Sequence, residues 1–430
     1  MRYLFAGSIN RSGGSLLMRL LDGHPDVVSY PIEYGFPKSG RFYPFVDQPP
    51  GNGTPLDIPE FEPERDTDIL NFLDIPENKP LVTHRWGKER ADPVGVRLNY
   101  LEKEFYGQVK TDFDYGKYIR LLREYGAEAK SLQDVYDARH KAYFHAWDDG
   151  KYIHNMEYVA FHDSGGLFTD IERFFKEFKT SIFIYPMRNI YGYIASEKTR
   201  IARRFYGSRR FPKVKMPNYL IKIFKTYDLN ALIRTWLVAL TRVVILQERY
   251  GPKGKFFVYQ YENLLDRTED VMRALCAASG LRFNSCLLTP TIAGQPWGGS
   301  SHQGEQSGIN PDLAHYYPEV LSQGELDEIQ RQCGSLMQFL EENKLTPTDL
   351  TRIPKNKLFD YEFQKKYAHD EEKWALYCAF AFTGARRVVV WAPDRNAVFA
   401  YIYSKWIQMI HLPRLWRLRM LPGWGKQNYT

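Results

Sequence analysis

The stretch Gly7-Ser8-Ile9-Asn10-Arg11-Ser12-Gly13-Gly14-Ser15 gathers glycines, serines and one arginine into a short run. Glycines let a backbone wrap closely around an anion. A helix starting behind them presents unpaired N–H groups and the positive end of its dipole. Arg11 adds a bidentate cation, and Ser12 and Ser15 add hydroxyls. The chemistry implied is the grip of a phosphate-like anion. No Gly-Lys-Ser/Thr follows at the spacing of the ordinary nucleotide-triphosphate loop, so the magnesium logic of a P-loop kinase does not carry over. A plain Gly/Ser turn between a strand and a helix is the competing reading. A second pair, Arg188 and Ser196 eight residues later, suits one shared phosphate-sized ligand if the intervening chain is helical. Alone, an arginine after a strand reads equally well as a solvated surface residue.

The flanking patterns supply elements to hold these groups. Tyr3 to Ala6 is a short apolar run, and Leu16, Leu17, Leu20 and Leu21 recur with helical period before Gly23-His24-Pro25 stops them. Residues 35–80, rich in Pro, Gly and Asp, read as an irregular insertion, with a short strand at Pro80 to His84. Residues 98–148 read as largely helical, with Val135, Ala138, Ala142 and Ala146 as the buried stripe. Tyr152 to His154 suggests a strand end, and Leu167 to Phe178 an amphipathic helix. Ser181 to Tyr185 is a buried-type strand with Arg188 just past its carboxyl end, and Ile190 opens a helix. Helices over 229–249, 269–278 and 324–342 and a strand over 255–259 complete the alternation, and residues 285–311 read as loop. Alternating strands and helices predict an α/β fold: a P-loop-like parallel sheet flanked by helices, with a helical insertion and a C-terminal extension. Ligands in such sheets bind beyond the carboxyl ends of the strands, where both anion-binding segments fall.

Composition narrows the class. The 430 residues are 44% hydrophobic and 25% charged, which is globular and not generally disordered. Cys276, Cys286, Cys333 and Cys378 are far apart and give neither a disulfide framework nor a zinc signature, so reduced and mostly buried thiols are expected. The N-terminal apolar run is too short for a secretory signal, and no apolar stretch is expected to reach the length needed to span a bilayer. The nearest approach is Trp374 to Ala400, which Arg386, Arg387, Pro393, Asp394 and Arg395 interrupt. A cytoplasmic location, or one peripheral to a membrane, is the expectation.

Taken together, the two segments resemble the nucleotide site of the sulfotransferase family that uses 3'-phosphoadenylyl sulfate (PAPS) as donor, in particular its bacterial, carbohydrate-type and protein-tyrosine-like members. Residues 4–34 are similar to the family's 5'-phosphosulfate loop, helix and His-Pro turn, and residues 181–196 to its 3'-phosphate motif. Tyr261-Glu262-Asn263-Leu264 resembles the Tyr-Glu-Asp-Leu segment after the next strand. Gly280-Leu281 and the loop from Pro290 to Ser301 resemble the end of the catalytic domain. The resemblance implies that Arg11, Ser12, Gly13, Gly14 and Ser15 cradle the 5'-phosphosulfate and that Arg188 and Ser196 hold the 3'-phosphate. It departs at Gly14, where the family usually carries a hydroxyl. The backbone N–H survives that change, but a charge-assisted bond worth about 1.5–3 kcal/mol does not.

Sulfuryl transfer needs a base for the acceptor hydroxyl and positive groups for the transferring and leaving charges. Arg11 suits the leaving phosphate. For the base the resemblance points to Glu33, a carboxylate that partial burial would tune, with an exposed loop glutamate as the alternative. His84, in Thr83-His84, is the competitor. His154 falls where carbohydrate-type members place a lysine that neutralises the sulfuryl group, and Asn155 beside it is a second donor. His145 and His162 read as helix-face or core polar residues. Trp297, in the loop Gln295 to Ser301, is expected either to stack on adenine or shield the site as part of a lid, or to be a tucked surface tryptophan. No metal is expected.

Charge distribution points to partners. Lys198 to Lys225 holds ten Lys/Arg and no acidic residue, a patch suited to a polyanionic acceptor or to a simple solvated face. No nucleic-acid-binding signature accompanies it. Residues 385–430 hold eight Lys/Arg against Asp394, interleaved with Trp391, Trp406, Trp416 and Trp424, which suits an anionic membrane surface, packing on the domain, or a subunit interface. The expected organisation is a catalytic domain over 1–345, with 35–150 as acceptor-side insertion, and a basic, aromatic extension over 346–430. The expected acceptor is a carbohydrate or glycolipid hydroxyl, with another lipid or small molecule as the alternative. A catalytically degenerate nucleotide-binding or scaffolding member is the non-enzymatic reading.

Overall fold

The computed structural model describes residues 1–9, 11–30, 62–73, 81–84, 87–90, 114–146, 156–163, 171–205, 229–292, 294–297, 308–343 and 346–367. Five strands form one parallel sheet: β1 (Arg2–Gly7), β2 (Val27–Ser29), β5 (Tyr158–Asp163), β6 (Ile182–Met187) and β7 (Phe256–Gln260), in the order β2-β5-β1-β6-β7. Every pairing in it is parallel, with Ala6 opposite both His162 and Ile184, and Met187 opposite Gln260. Tyr3, Leu4, Phe5 and Ala6 are all buried, as a central strand covered on both faces requires. The hairpins β3 (Leu81–His84) with β4 (Gly87–Arg90), and β8 (Thr291–Ile292) with β9 (Gln295–Pro296), lie outside this sheet.

The helices among the described residues are α1 (Gly14–Leu21), α2 (Ile69–Phe72), α3 (Tyr115–Gly126), α4 (Leu132–His145), α5 (Ile171–Glu177), α6 (Ile190–Phe205), α7 (Leu229–Tyr250), α8 (Tyr261–Asp266), α9 (Thr268–Ser279), α10 (Gln323–Glu342) and α11 (Tyr361–Tyr367). In α1, Leu16, Leu17, Leu20 and Leu21 face the core, as their spacing predicts. In α4 the expected stripe Val135, Ala138, Ala142 and Ala146 is buried, with Ser131 capping the N-terminus by accepting from the Asp134 N–H. An aromatic cluster covers one face of the sheet: Phe5 stacks on Phe161 at 4.9 Å and meets Phe174 and Phe183 edge-on. His140 joins this layer, its ring 6.4 Å from Phe161.

Several expectations change. The strand preceding α5 is Tyr158–Asp163, later than the expected strand end at Tyr152 to His154, and those three residues lie outside the described ones. Tyr-Val-Ala-Phe-His-Asp carries a histidine and an aspartate at its carboxyl end, which break the apolar run and mask the strand in the sequence. His162 therefore sits in a strand and not on a helix face, and is the buried core polar residue that the second of its two expected placements describes. Residues 285–311 are not all loop: a 3₁₀ turn, Ser285–Leu288, precedes the β8–β9 hairpin. The segment Leu229–Lys253, covering α7 and the turn after it, is long and apolar enough to cross a membrane by length and composition, contrary to the expectation that no stretch reaches that length. Its burial explains the composition: Ile233, Val238, Ala239, Val243 and Val244 are inside the fold, so the helix is apolar around most of its circumference because it is covered by protein. Residues 346–367 also pack on the body of the fold, placing Leu350, Ile353, Leu358 and Tyr361 in the core. Cys276 and Cys333 are buried and Cys286 partly so, all as free thiols. The expectations for Trp374 to Ala400 and for residues 385–430 lie outside the described residues.

Candidate functional site

The chain leaves β1 through α1 toward β2 on one side, and leaves β6 through α6 and α7 toward β7 on the other. β1 and β6 are neighbours, so a crevice opens between their carboxyl ends where the connections diverge. This is the topological switch point at which open α/β sheets bind ligands. Gly7 to Ser15 extends from β1 into α1, and Arg188 follows β6 directly. Strand pairing thus brings together two segments separated by more than 170 residues, as the Arg188–Arg11 contact at a separation of 177 records.

The loop is shaped by two left-handed residues. Arg11 has φ 65° and Gly13 φ 96°, and the first is a strained conformation for a side-chain-bearing residue. A Cβ on Gly13 would sit 2.1 Å from the Tyr261 ring, so glycine is required there both by φ and by space. The consequence is a backbone that folds over its own helix N-terminus, with the Arg11 carbonyl turned toward Arg188. Arg188 Nη1 donates to that carbonyl at 2.9 Å, and Arg11 Nε donates to Ser196 Oγ at 3.0 Å. Ser196 lies two turns into α6, so the loop, the strand end and the helix are joined through hydrogen bonds among the very groups read as anion ligands.

Arg188 is held by contacts from three elements. Its guanidinium lies 4.7 Å from the centroid of the Tyr261 ring, a cation–π contact. Trp236 Nε1, on α7, donates to its carbonyl at 2.8 Å. Glu262 Oε1 accepts from the Asn189 backbone N–H at 3.2 Å and from Asn189 Nδ2 at 2.8 Å, and Asn189 Oδ1 in turn accepts from the Gly192 N–H at the start of α6. Burial pushes the Glu262 carboxyl above the usual carboxylate range, while the Arg188 charge and the hydrogen bonds from its own backbone and from Asn189 and Gln260 pull the other way. Two donors at this edge, Ser12 Oγ and Arg188 Nε, are buried without a hydrogen-bond partner, as is the second Glu262 carboxylate oxygen, Oε2. Buried donors in native proteins are normally satisfied, so two such atoms beside a helix N-terminus mark a place for an acceptor-rich ligand.

The structure therefore brings Arg11, Ser12, Gly13, Gly14, Ser15, Arg188 and Ser196 to one edge. Glu33 and His154 lie outside the described residues. His84 closes the β3–β4 hairpin opposite Gly87, in a sheet separate from the main one. Trp297 is buried beside the β8–β9 hairpin, its backbone N–H donating to the Pro290 carbonyl. That hairpin is fastened to Asp22, whose Oδ2 accepts from Thr291 Oγ1 and the Gly294 N–H just past the carboxyl end of α1, the end away from the loop. His145 ends α4, where the Tyr125 hydroxyl meets its Nδ1 at 3.0 Å and burial lowers its pKa.

Sequence reading had no role for Trp236, Asn189, Tyr261 or Glu262 in holding Arg188. Tyr261-Glu262 is legible as a segment, but only the pairing of β6 with β7 and the contacts of Tyr261 with Gly13 and Arg188 show that it sits under the loop. Trp236 carries no signal, being one tryptophan in an apolar helix. Among the described residues no group of three or more His, Cys, Asp or Glu is placed to hold a metal ion.

No protein-family model and no curated protein matches the chain. Among solved structures it is similar to the sulfotransferase domain from the curacin biosynthetic pathway, at 16% identity over 77% of this chain and 96% of that one, with a TM-score of 0.38. It is also similar to the sulfotransferase domain of the Synechococcus PCC 7002 olefin synthase, at 15% identity over 78% and 94% of the two chains, with a TM-score of 0.35. A third, sulfotransferase STF9 from Mycobacterium avium, shares 15% identity over 79% of this chain and 76% of its own, with a TM-score of 0.34.

Proposed function

We propose that this protein transfers a sulfuryl group from PAPS to an acceptor hydroxyl. The observation that carries the reading is the Arg11–Ser196 hydrogen bond: the loop that reads as a 5'-phosphosulfate cradle and the helix that reads as a 3'-phosphate clamp meet at the switch point of one sheet. Ser12 Oγ and Arg188 Nε, buried there without partners, are donors suited to phosphate oxygens. The residues present fit a nucleotide carrying anionic groups at both ends.

In this reading the α1 N-terminus, Ser12, Ser15 and the backbone of Gly13 and Gly14 hold the 5' end, and Arg188 and Ser196 hold the 3'-phosphate. Bound PAPS supplies the sulfuryl group and a phosphate that departs when the bond from sulfur to its bridging oxygen breaks. Arg11, no longer bonded to Ser196 once that hydroxyl turns to the 3'-phosphate, offsets the charge left on the departing phosphate. Glu33 takes the proton from the acceptor hydroxyl as its oxygen bonds to sulfur, with His84 as the alternative base and His154 as a donor to the transferring group. Trp297 is assigned a shielding role. No metal enters the scheme.

The acceptor is proposed to be a carbohydrate or glycolipid hydroxyl, drawn by the basic run from Lys198, with small-molecule hydroxyls as the alternative. The catalytic unit of this proposal comprises residues 1–345 with the 346–367 segment packed on it. It works in the cytoplasm, with residues 385–430 as contact to an anionic membrane surface. Isothermal titration with adenosine 3',5'-bisphosphate tests the donor assignment. Wild type is expected to bind and Arg188→Ala to lose binding at least a hundredfold; no binding by wild type overturns the reading. Labelled donor supplied with glycans, lipids and phenols then separates a catalyst from a binding module.

A further inference from the structure

His162 occupies a position that a fully covered strand rarely gives to a polar residue. β5 pairs with β1 on one side and β2 on the other, and Tyr158, Val159, Ala160 and Phe161 are all buried. Parallel strands of this kind are close to continuous apolar runs. His162 is 4% exposed and is the next residue of that run, opposite Ala6 at the carboxyl end of the sheet. Side chains alternate between faces, so Phe161, stacked on Phe5 and His140, points away from the face His162 occupies. His162 instead lies under the start of α1.

Two measurements fix where its ring goes. A Cβ built on Gly14 would lie 2.6 Å from His162 Cδ2 and 3.2 Å from Cγ. Gly14 has an ordinary backbone conformation, with no positive φ that would demand glycine. What excludes a side chain at Gly14 is the imidazole itself. The adjoining ring atom, Nε2, lies 3.4 Å from Ser15 Oγ, on the loop read above as gripping the 5' end of the nucleotide. The ring thus presents its Cδ2–Nε2 edge to the first turn of α1. Ser12 Oγ, 1% exposed and without a hydrogen-bond partner, belongs to the same loop and gives independent evidence that a ligand completes it.

We propose that His162 supplies from the sheet the side-chain donor that Gly14 cannot supply from the loop, binding the 5'-phosphate end of the nucleotide through Nε2 together with Ser15. The inference rests on the proposed nucleotide site and adds a binding residue to it. With the proton on Nε2, the ring donates to Ser15 Oγ or to a phosphate oxygen, so Ser15 acts as a relay that orients the donor before the ligand arrives. Gly14 and His162 then form one functional pair: a small residue on the helix makes room for a large one on the strand, and the hydrogen-bonding atom is delivered across the gap.

The test separates this role from mere packing by using two probes. Adenosine 3',5'-bisphosphate and adenosine 3'-monophosphate are titrated into wild type, His162→Ala and the double variant Gly14→Ser with His162→Ala, with thermal melts confirming that each is folded. His162→Ala is expected to lose ten- to a hundredfold in affinity for the bisphosphate and less than threefold for the 3'-monophosphate. The double variant, which returns a hydroxyl to the loop in the vacated space, is expected to recover most of the bisphosphate affinity. A loss equal for both probes, or none for either, overturns the role of His162 while leaving the nucleotide site standing. Failure of wild type to bind either probe removes the site and this inference with it.

Discussion

Gly13 carries two constraints that no other residue type meets together. Its φ of 96° costs an L-residue about 1–2 kcal/mol, and the Tyr261 ring occupies the space a side chain needs. Gly13→Ala is therefore expected to push the loop off Tyr261 and, through it, off Arg188. Affinity for adenosine 3',5'-bisphosphate should fall at least tenfold, measured by titration, and unchanged affinity would show that the loop tolerates a different path. His140 makes a contrasting case on the other side of the fold. It is fully buried, and the Tyr30 hydroxyl and its Nδ1 share a hydrogen bond of 2.6 Å. Burial first, then the charges of Arg139 and the N-terminal ammonium, hold its pKa well below the ordinary 6.5. The native state keeps this imidazole neutral while the unfolded chain protonates it below 6.5, so acid favours unfolding. Stability is expected to fall as pH drops through 6.5, by up to about 1.4 kcal/mol per pH unit from this group. His140→Leu should flatten that part of the profile in denaturant titrations at pH 7, 6 and 5. An identical slope in both proteins would assign the acid sensitivity elsewhere.

Among the elements, α7 links the core to the site. It is buried along most of its length, yet Trp236 sends Nε1 to the carbonyl of Arg188, the residue that follows β6. Trp236→Phe keeps the ring's packing and leaves that buried carbonyl without its donor, at a cost of about 1–3 kcal/mol. The expected outcome is a lowered melting temperature together with a weaker 3'-phosphate grip, read as a proportionate loss for the bisphosphate and the 3'-monophosphate. A drop in melting temperature alone would mean that Arg188 keeps its place without this bond. The elements were unevenly legible from sequence. Tyr3 to Ala6, the leucines of α1 and Ser181 to Tyr185 announced themselves, because a strand buried on both faces and an amphipathic helix each impose one strong period. β5 did not, since its sequence ends in the polar residues His162 and Asp163, which break the apolar run. The partners of Arg188 escaped for a different reason: Asn189, Trp236, Tyr261 and Glu262 come from three separate segments, and only the β6–β7 pairing and the placement of α7 reveal that they converge.

At the scale of the whole chain, packing carries the folded body past residue 345. Leu350, Ile353, Leu358 and Tyr361 are buried in the main core, the Tyr361 hydroxyl donates to Glu248 Oε2 on α7 at 2.6 Å, and Lys355 pairs with the same carboxylate. Each such apolar side chain contributes about 1.5–3 kcal/mol when fully buried, so residues 346–367 supply a share of stability comparable to that of a core helix. The basic, tryptophan-bearing residues 385–430 follow this segment and have the composition of an interfacial anchor. The two parts should separate cleanly by truncation. A chain ending at 367 is expected to melt within a few degrees of the full chain and to bind adenosine 3',5'-bisphosphate equally well, while no longer floating with vesicles of phosphatidylserine and phosphatidylcholine that the full chain follows. A chain ending at 345 should melt at a temperature lower by ten degrees or more, or fail to fold, because four core positions are stripped from α7 and β7. If the full chain ignores anionic vesicles at low salt, the interleaved tryptophans and arginines of 385–430 serve protein contacts instead, and the membrane has no part in bringing the acceptor to the site.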